Sequence, residues 1–446
     1  MTGATARANV GLAQLAAVAA GLVVLSAYAS RIHAATGLYG FFALAVVVAS
    51  AAAWAAMVPR DVDETTALWI ILGAALAMRI PYLASDPYLS SDLYRYVWDG
   101  RVQSHGINPY RYVPAAQELA ALRDGAIYPN INRADYAPTI YPPVAQMLFF
   151  VTTRISESVI AIKACMMFFE ALGIACLLDI LRRLGQPLSR IAAWAWHPLA
   201  LWEIAGNAHI DAAMTGTMVF GVWLFVKNRP LRAALVVTLA ALMKPIALLA
   251  LPVFWKPWDW RMPTVFAVVV GLSYLPYLSV GLKVFGFASG YVAEEGYAAG
   301  GGFWYPDLLQ IITGPLAGIG QVYVLASAIA IGALAITIGF RSDRSERSAI
   351  RALAFLVGLF LVLLTPHYPW YYLVLMPFLA IFPRLVTLWV VTVGALQAHD
   401  VYPLYPVIDY GVRQMTFHSV VLLAILWDVH ARNTNGFKLN SGVRQS

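Results

Sequence analysis

Asp92 and Asp99 stand seven residues apart in Ser91-Asp92-Leu93-Tyr94-Arg95-Tyr96-Val97-Trp98-Asp99-Gly100-Arg101. The spacing predicts a helix over 92–104, capped by Ser91 and stopped by Gly106 and the Asn108-Pro109 turn. On it, Asp92, Arg95, Tyr96 and Asp99 fall at i, i+3, i+4 and i+7 of one face. Two carboxylates about 10 Å apart with a guanidinium between them can take a proton and hold an anion. The competing reading is structural: Asp92 complements a helix N-terminus, and Asp99 pairs with Arg95 or Arg101.

Other short turns also collect polar groups. Glu203, Asn207, His209 and Asp211 share one turn between two apolar runs. Ionisable groups at membrane depth point to function, although Asn207 and Asp211 would also serve as helix caps. Lys244, followed by Pro245, breaks an apolar run and would bind an anionic headgroup or extend its stem to the interface. The corner Thr365-Pro366-His367-Tyr368-Pro369-Trp370-Tyr371-Tyr372 combines an interfacial aromatic belt with the titratable His367. Gly300-Gly301-Gly302, downstream of Glu294 and Glu295, reads as a mobile lid. The chain has no Gly-x-x-x-x-Gly-Lys phosphate loop, Gly-x-Ser-x-Gly elbow or His-Glu-x-x-His helix, so nucleotide hydrolysis is not expected to drive it.

The elements that must position these groups are membrane helices. Of 446 residues, 61% are hydrophobic and only 12% charged, about half the charged share of a soluble protein. Continuous apolar runs long enough to cross about 30 Å of hydrocarbon predict an all-α polytopic membrane protein and exclude strands. Spans are expected near 9–29, 37–57, 66–83, 158–181, 189–205, 210–226, 262–282, 317–340, 350–366, 370–383, 384–399 and 414–430. The 231–255 run is one kinked span or a hairpin, and the flanking basic loops favour the hairpin. The total is about 12–14 transmembrane helices.

The net charge of +7 is spread over loop clusters rather than one stripe, which fits the positive-inside bias and argues against nucleic acid. Arg182, Arg183 and Arg190 form one cluster, Lys227, Arg229 and Arg232 a second, and Arg341, Arg344, Arg347 and Arg351 a third. Placing these clusters, and Arg60, in the cytoplasm puts the long 84–157 segment and the 400–413 loop outside. The expected divisions are 1–83, a three-span segment; 84–157, an extracytoplasmic loop; 158–430, a bundle with short outer loops; and 431–446, a polar, poorly ordered cytoplasmic tail. Residues 142–153 are too short to span and read as an interfacial helix. Cys165 and Cys176 are too far apart on one helix to form a disulfide. The first apolar run lacks signal-peptide features.

The run from Asp92 to Arg101, then Gly106-Ile107-Asn108-Pro109-Tyr110 and Thr139-Ile140-Tyr141-Pro142-Pro143, resembles the first external loop of GT-C glycosyltransferases. The likeness is greatest to bacterial polyprenol-phosphate-mannose-dependent mannosyltransferases, and extends to Asn207–Asp211, Lys244-Pro245 and His367–Trp370. Three spans before the loop, instead of the common one, depart from that family's plan. The resemblance implies an inverting transfer of a hexose, mannose most often, from a polyprenyl-phosphate donor to a lipid or glycan hydroxyl. The setting would be the extracytoplasmic face of a bacterial plasma membrane.

In that reading Asp92 is the general base, with Asp99 as the second catalytic candidate. Lys244, His367, Arg95 and Arg101 are candidates for the donor phosphate. Tyr96, Tyr141, Glu203, His209, Asp211 and Trp370 would bind the substrates. No metal or other cofactor is required; a divalent cation is the less favoured alternative. The rival functions are a lipid-linked glycan ligase or polymerase, and a secondary transporter or flippase.

Overall fold

Apolar runs become helices throughout, and among the described residues there is no strand. The computed structural model describes residues 3–32, 37–57, 62–297, 300–398 and 410–441. Among the described residues, seven helices are long and apolar enough to cross a membrane. A further apolar pair, Pro198–Gly206 and Asp211–Val226, is bent by 116° at the polar turn, the geometry of a broken span or a re-entrant loop. The chain is therefore a multi-pass, all-helical membrane protein. The expected 370–383 and 384–399 spans are short helices, Pro369–Ile381 and Val386–Ala398. At 1.5 Å per residue each reaches only about 20 Å, two thirds of a hydrocarbon core. Large apolar residues such as Val24, Trp69, Phe168 and Leu423 stay at least 60% exposed on the long helices, as lipid-facing positions do.

Charge inside the bundle fixes how the first three helices meet the rest. These are α1 (Gly3–Ile32), α2 (Gly37–Ala56) and α3 (Glu64–Ala84). Asp63 caps α3, accepting from the Thr66 amide at 2.8 Å. Arg79 of α3 makes a buried bidentate pair with Glu170 of α6 (Val159–Arg183), at 2.8 and 2.6 Å, and also donates to the Ala75 and Ala195 carbonyls. Lys163 of α6 donates to the carbonyls of Tyr82 and Ser85 at 2.8 and 2.6 Å, putting a cation on the negative end of α3. Both contacts fix where α3 ends, and hence where the external segment starts.

That segment opens with α4 (Asp92–Ser104), which packs on α5 (Pro143–Ile155). The helix has the expected bounds and stops before Gly106, whose φ is +73°. Ser91 makes no side-chain cap; the Ser90 hydroxyl accepts from the Asp92 amide instead, at 3.2 Å. The 13-residue α5 is the helix expected at 142–153, and it leaves Val151 and Ile155 exposed at 55% and 82%. Gly100 is where α4 and α5 touch: a Cβ there would lie 2.6 Å from the Phe149 carbonyl oxygen and 2.5 Å from the Thr153 hydroxyl.

The 231–255 run is a hairpin. Helix Pro230–Ala241 rises to Lys244, and a 3-10 turn (Pro245–Ala250) and Leu251–Phe254 return beside it. Its two ends line one cavity, and Phe254 stacks on Phe225 with ring centroids 4.7 Å apart. The tail differs from expectation, because Tyr410–Ser441 is one continuous helix through residues 431–441. Arg60, most of the 400–413 loop and residues 442–446 lie outside the described residues. Both cysteines are free thiols.

Candidate active site

The first turn of α4 presents Asp92 with its side chain one-fifth exposed. Its Oδ1 accepts from Asn132 Nδ2 at 2.7 Å, and its Oδ2 faces His209 Nδ1 at 3.8 Å. The other imidazole nitrogen lies 3.3 Å from Glu203 Oε2, so His209 stands between two carboxylates. The ring is buried and lies flat on Trp370, centroids 3.9 Å apart, and Trp370 in turn stacks on Tyr368. Glu203 occupies a π-helical turn, Leu201–Gly206, that widens the helix just before the bend. Asn207 ties this turn to the external segment: its Nδ2 reaches Glu203 at 3.4 Å and its Oδ1 accepts from the Leu89 amide at 3.1 Å.

Past the bend, Asp211 opens the next helix and receives Lys244 on both oxygens, at 2.7 and 2.8 Å. The hairpin tip thus delivers one ammonium beside the carboxylates, 3.7 Å above the Tyr371 ring centroid. Tyr96 joins the two halves, its hydroxyl accepting from the Ile210 amide at 3.4 Å. Burial first, then the charges of Asp92 and Asp211, pushes the Tyr96 phenol well above its usual pKa. Burial and Asp92 do the same to Tyr141, which meets Tyr96 edge-on. Both phenols therefore stay protonated, as neutral walls of an acidic pocket.

Of the sequence-derived candidates, Asp92, Tyr96, Tyr141, Glu203, His209, Asp211, Lys244 and Trp370 converge here. Arg95, Asp99, Arg101 and His367 do not. Arg95 spends Nε on Asp99 at 2.8 Å and its terminal nitrogens on the Ala137 carbonyl. Asp99 is buried, and its other oxygen takes Gln146 Nε2 at 2.9 Å. Arg101 braces the loop through Asp124 at 2.7 Å, Glu157 at 2.8 Å and the Leu122 carbonyl at 3.0 Å. Asp99→Asn should therefore act on stability, because it leaves the Arg95 guanidinium buried without its counter-charge, a loss of about 3 kcal/mol. The check is the heat-inactivation midpoint of purified protein, with an unchanged midpoint refuting the structural role.

His367 is engaged by the segment predicted as a lid. Its Nδ1 lies 2.6 Å from Glu295 Oε2, and its Nε2 lies 2.9 Å from the Gly302 carbonyl. Burial opposes protonation of His367, but the Glu295 carboxylate and the Gly302 carbonyl outweigh it and raise its pKa. Neighbouring Glu294 holds Arg133 Nε at 2.7 Å and the Tyr136 hydroxyl at 2.8 Å. The Tyr291 hydroxyl lies 3.0 Å from that of Tyr371, so residues 288–297, with Gly302, form a strap across the Lys244 side of the site.

Sequence reasoning missed Asn132, Tyr291, Arg133 and Tyr371 as a working group. Asn132 lies forty positions beyond Asp92 in an aperiodic stretch; its flanking Arg133, with φ of +53°, is the one local oddity, visible only in the backbone. Among the described residues no group of three or more His, Cys, Asp or Glu side chains converges to hold a metal ion. A separate cavity of about 630 Å³, apolar and lined by Phe42, Trp389 and Phe417, contains neither Asp92 nor Lys244.

A helical bundle of this kind, with a carboxylate-bearing juxtamembrane helix in its first large loop and broken helices meeting beneath it, is a GT-C-type membrane architecture. The chain belongs to the MptA_B family, described as alpha-(1->6)-mannopyranosyltransferase, N-terminal domain, whose sequence model matches residues 1–258. It is 25% identical over 345 residues to Alpha-(1->6)-mannopyranosyltransferase A of Mycobacterium tuberculosis, covering 69% of this chain and 62% of that protein. To Alpha-(1->6)-mannopyranosyltransferase A of Corynebacterium glutamicum it is 24% identical over 203 residues, 44% of this chain and 40% of the relative. The chain thus spans under two thirds of the length of these curated relatives. No solved structure matches it. The family match includes Asp92, His209, Asp211 and Lys244, while His367 lies beyond it.

Proposed function

We propose that this chain transfers mannose from a polyprenyl-phosphate donor to a hydroxyl of a lipid-linked or glycan acceptor, on the extracytoplasmic face. The observation that carries this reading is one cluster: a partly exposed carboxylate, Asp92, beside a Lys244–Asp211 pair. The names of the relatives supply the sugar and point to an α-1,6 product. A lipid donor leaves the bilayer only at a cost of about 0.8 kcal/mol per CH₂, so the transfer site must sit at the membrane surface. The exposed apolar side of α5 would wall the donor chain.

The acceptor oxygen attacks the anomeric carbon as the bond to the phosphate oxygen breaks, and configuration inverts. The acceptor proton goes to Asp92, and the bonding pair leaves on the lipid phosphate. Asn132 turns the carboxylate so that one oxygen is held while the other faces the pocket. An ammonium has three donors; Asp211 takes two of those on Lys244, and the third meets the phosphate as its charge grows. Arg95, Asp99 and Arg101 hold the loop in shape, and His367 holds the strap.

His209 acts through Asp92, facing its Oδ2 while Glu203 faces the other ring nitrogen. His209→Asn should lower kcat about 10- to 100-fold and leave the donor KM unchanged. An unchanged kcat would reduce His209 to packing against Trp370. The reading as a whole is tested by offering purified protein a panel of polyprenyl-phosphate sugars with mannoside acceptors. Mannose transfer giving an α-1,6 linkage is expected; selective use of another sugar, or none, overturns it.

A further inference from the structure

At the foot of the hairpin, about 18 Å of helix away from Lys244, lies a cavity of about 470 Å³. Arg229, Arg232 and Lys256 line it, and among the described residues no side-chain hydrogen bond or ion pair takes up their charges. Its carboxylate, Asp259, is already held by both ends of the Arg261 guanidinium, at 2.9 and 2.8 Å. The floor is apolar, with Phe254 and Met262 both buried. Beside it Trp258 and Trp260 are 76% and 69% exposed, one residue apart at the start of a spanning helix. Exposed tryptophans at a helix end sit at headgroup level.

A bias in loop charge accounts for cations on this face of the bundle, but not for three of them around one cavity with a greasy floor, where the lining carboxylate, Asp259, is engaged by Arg261. We propose that this cavity binds the phosphate headgroup of an anionic membrane lipid, in the leaflet opposite the catalytic cluster. The phosphate bridges Arg229, Arg232 and Lys256, and the first carbons of the acyl chains lie on Phe254 and Met262. Phosphate chemistry alone would also suit a soluble phosphate, but the tryptophans and the apolar floor favour the lipid. The site goes beyond the transfer reaction: it clamps the two legs of the hairpin whose tip carries Lys244.

The test is native mass spectrometry of the full chain in detergent with phosphatidylglycerol, phosphatidylcholine or inorganic phosphate. Retention of phosphatidylglycerol over phosphatidylcholine is expected. It should fall about tenfold or more in the Arg229→Gln/Arg232→Gln/Lys256→Gln protein, with stepwise losses in the single variants should the triple variant not fold. A control removes three cations elsewhere, Arg182→Gln/Arg351→Gln/Arg384→Gln, and should retain the lipid. Equal losses in both triple variants would reduce the effect to general surface charge and overturn the site. Displacement of the lipid by millimolar inorganic phosphate would overturn the lipid as its occupant.

Discussion

Asp92→Asn lowers sugar transfer by purified protein about 10²- to 10⁴-fold, the range that a positioned general base contributes, while the donor still binds. The substitution keeps the side chain's size, and an amide oxygen can still accept from Asn132, so α4 and its turn stay in place. What disappears is the ability to take a proton from the attacking hydroxyl. Heat-inactivation should be unchanged, in contrast to Asp99→Asn, whose partner is buried. Turnover within a factor of a few of the parent would remove Asp92 from the chemistry.

Lys244→Met is the second large effect, and it has two components that can be separated. Asp211 is only 1% exposed, so removing its cation strands a buried carboxylate at about 3–5 kcal/mol. The companion Lys244→Met/Asp211→Asn relieves that cost and should recover most of the lost stability. It should not recover donor use: with no ammonium for the phosphate, kcat/KM for the donor stays down by about 10²-fold or more. A double variant that regains both stability and donor use would make the pair structural only.

Much of this site was legible because helices repeat in a known way. The bounds 92–104 followed from Gly106 and the Asn108-Pro109 turn, and the Lys244-Pro245 break marked the hairpin tip. Periodicity put Arg95 and Asp99 on the same broad face as Asp92, but it does not say which neighbour covers each part of that face. The Ala137 carbonyl and Gln146 draw the pair inward, and both come from distant chain positions. Asn132 and the Tyr291–Tyr371 contact were invisible for the same reason, being side-chain meetings across 40 and 80 residues. Hydropathy divided the 370–399 segment at Pro383-Arg384, where the two observed helices part, but read each half as a span although each has only 13 residues.

The missing Cβ of Gly100 has one more consequence. With so little between their backbones, α4 and α5 are locked together there, so Asp92 on one and the exposed apolar side of the other keep a fixed spacing. Any breathing that opens the site is then left to the opposite bank, where Glu294 and Glu295 fasten the strap to two separate posts.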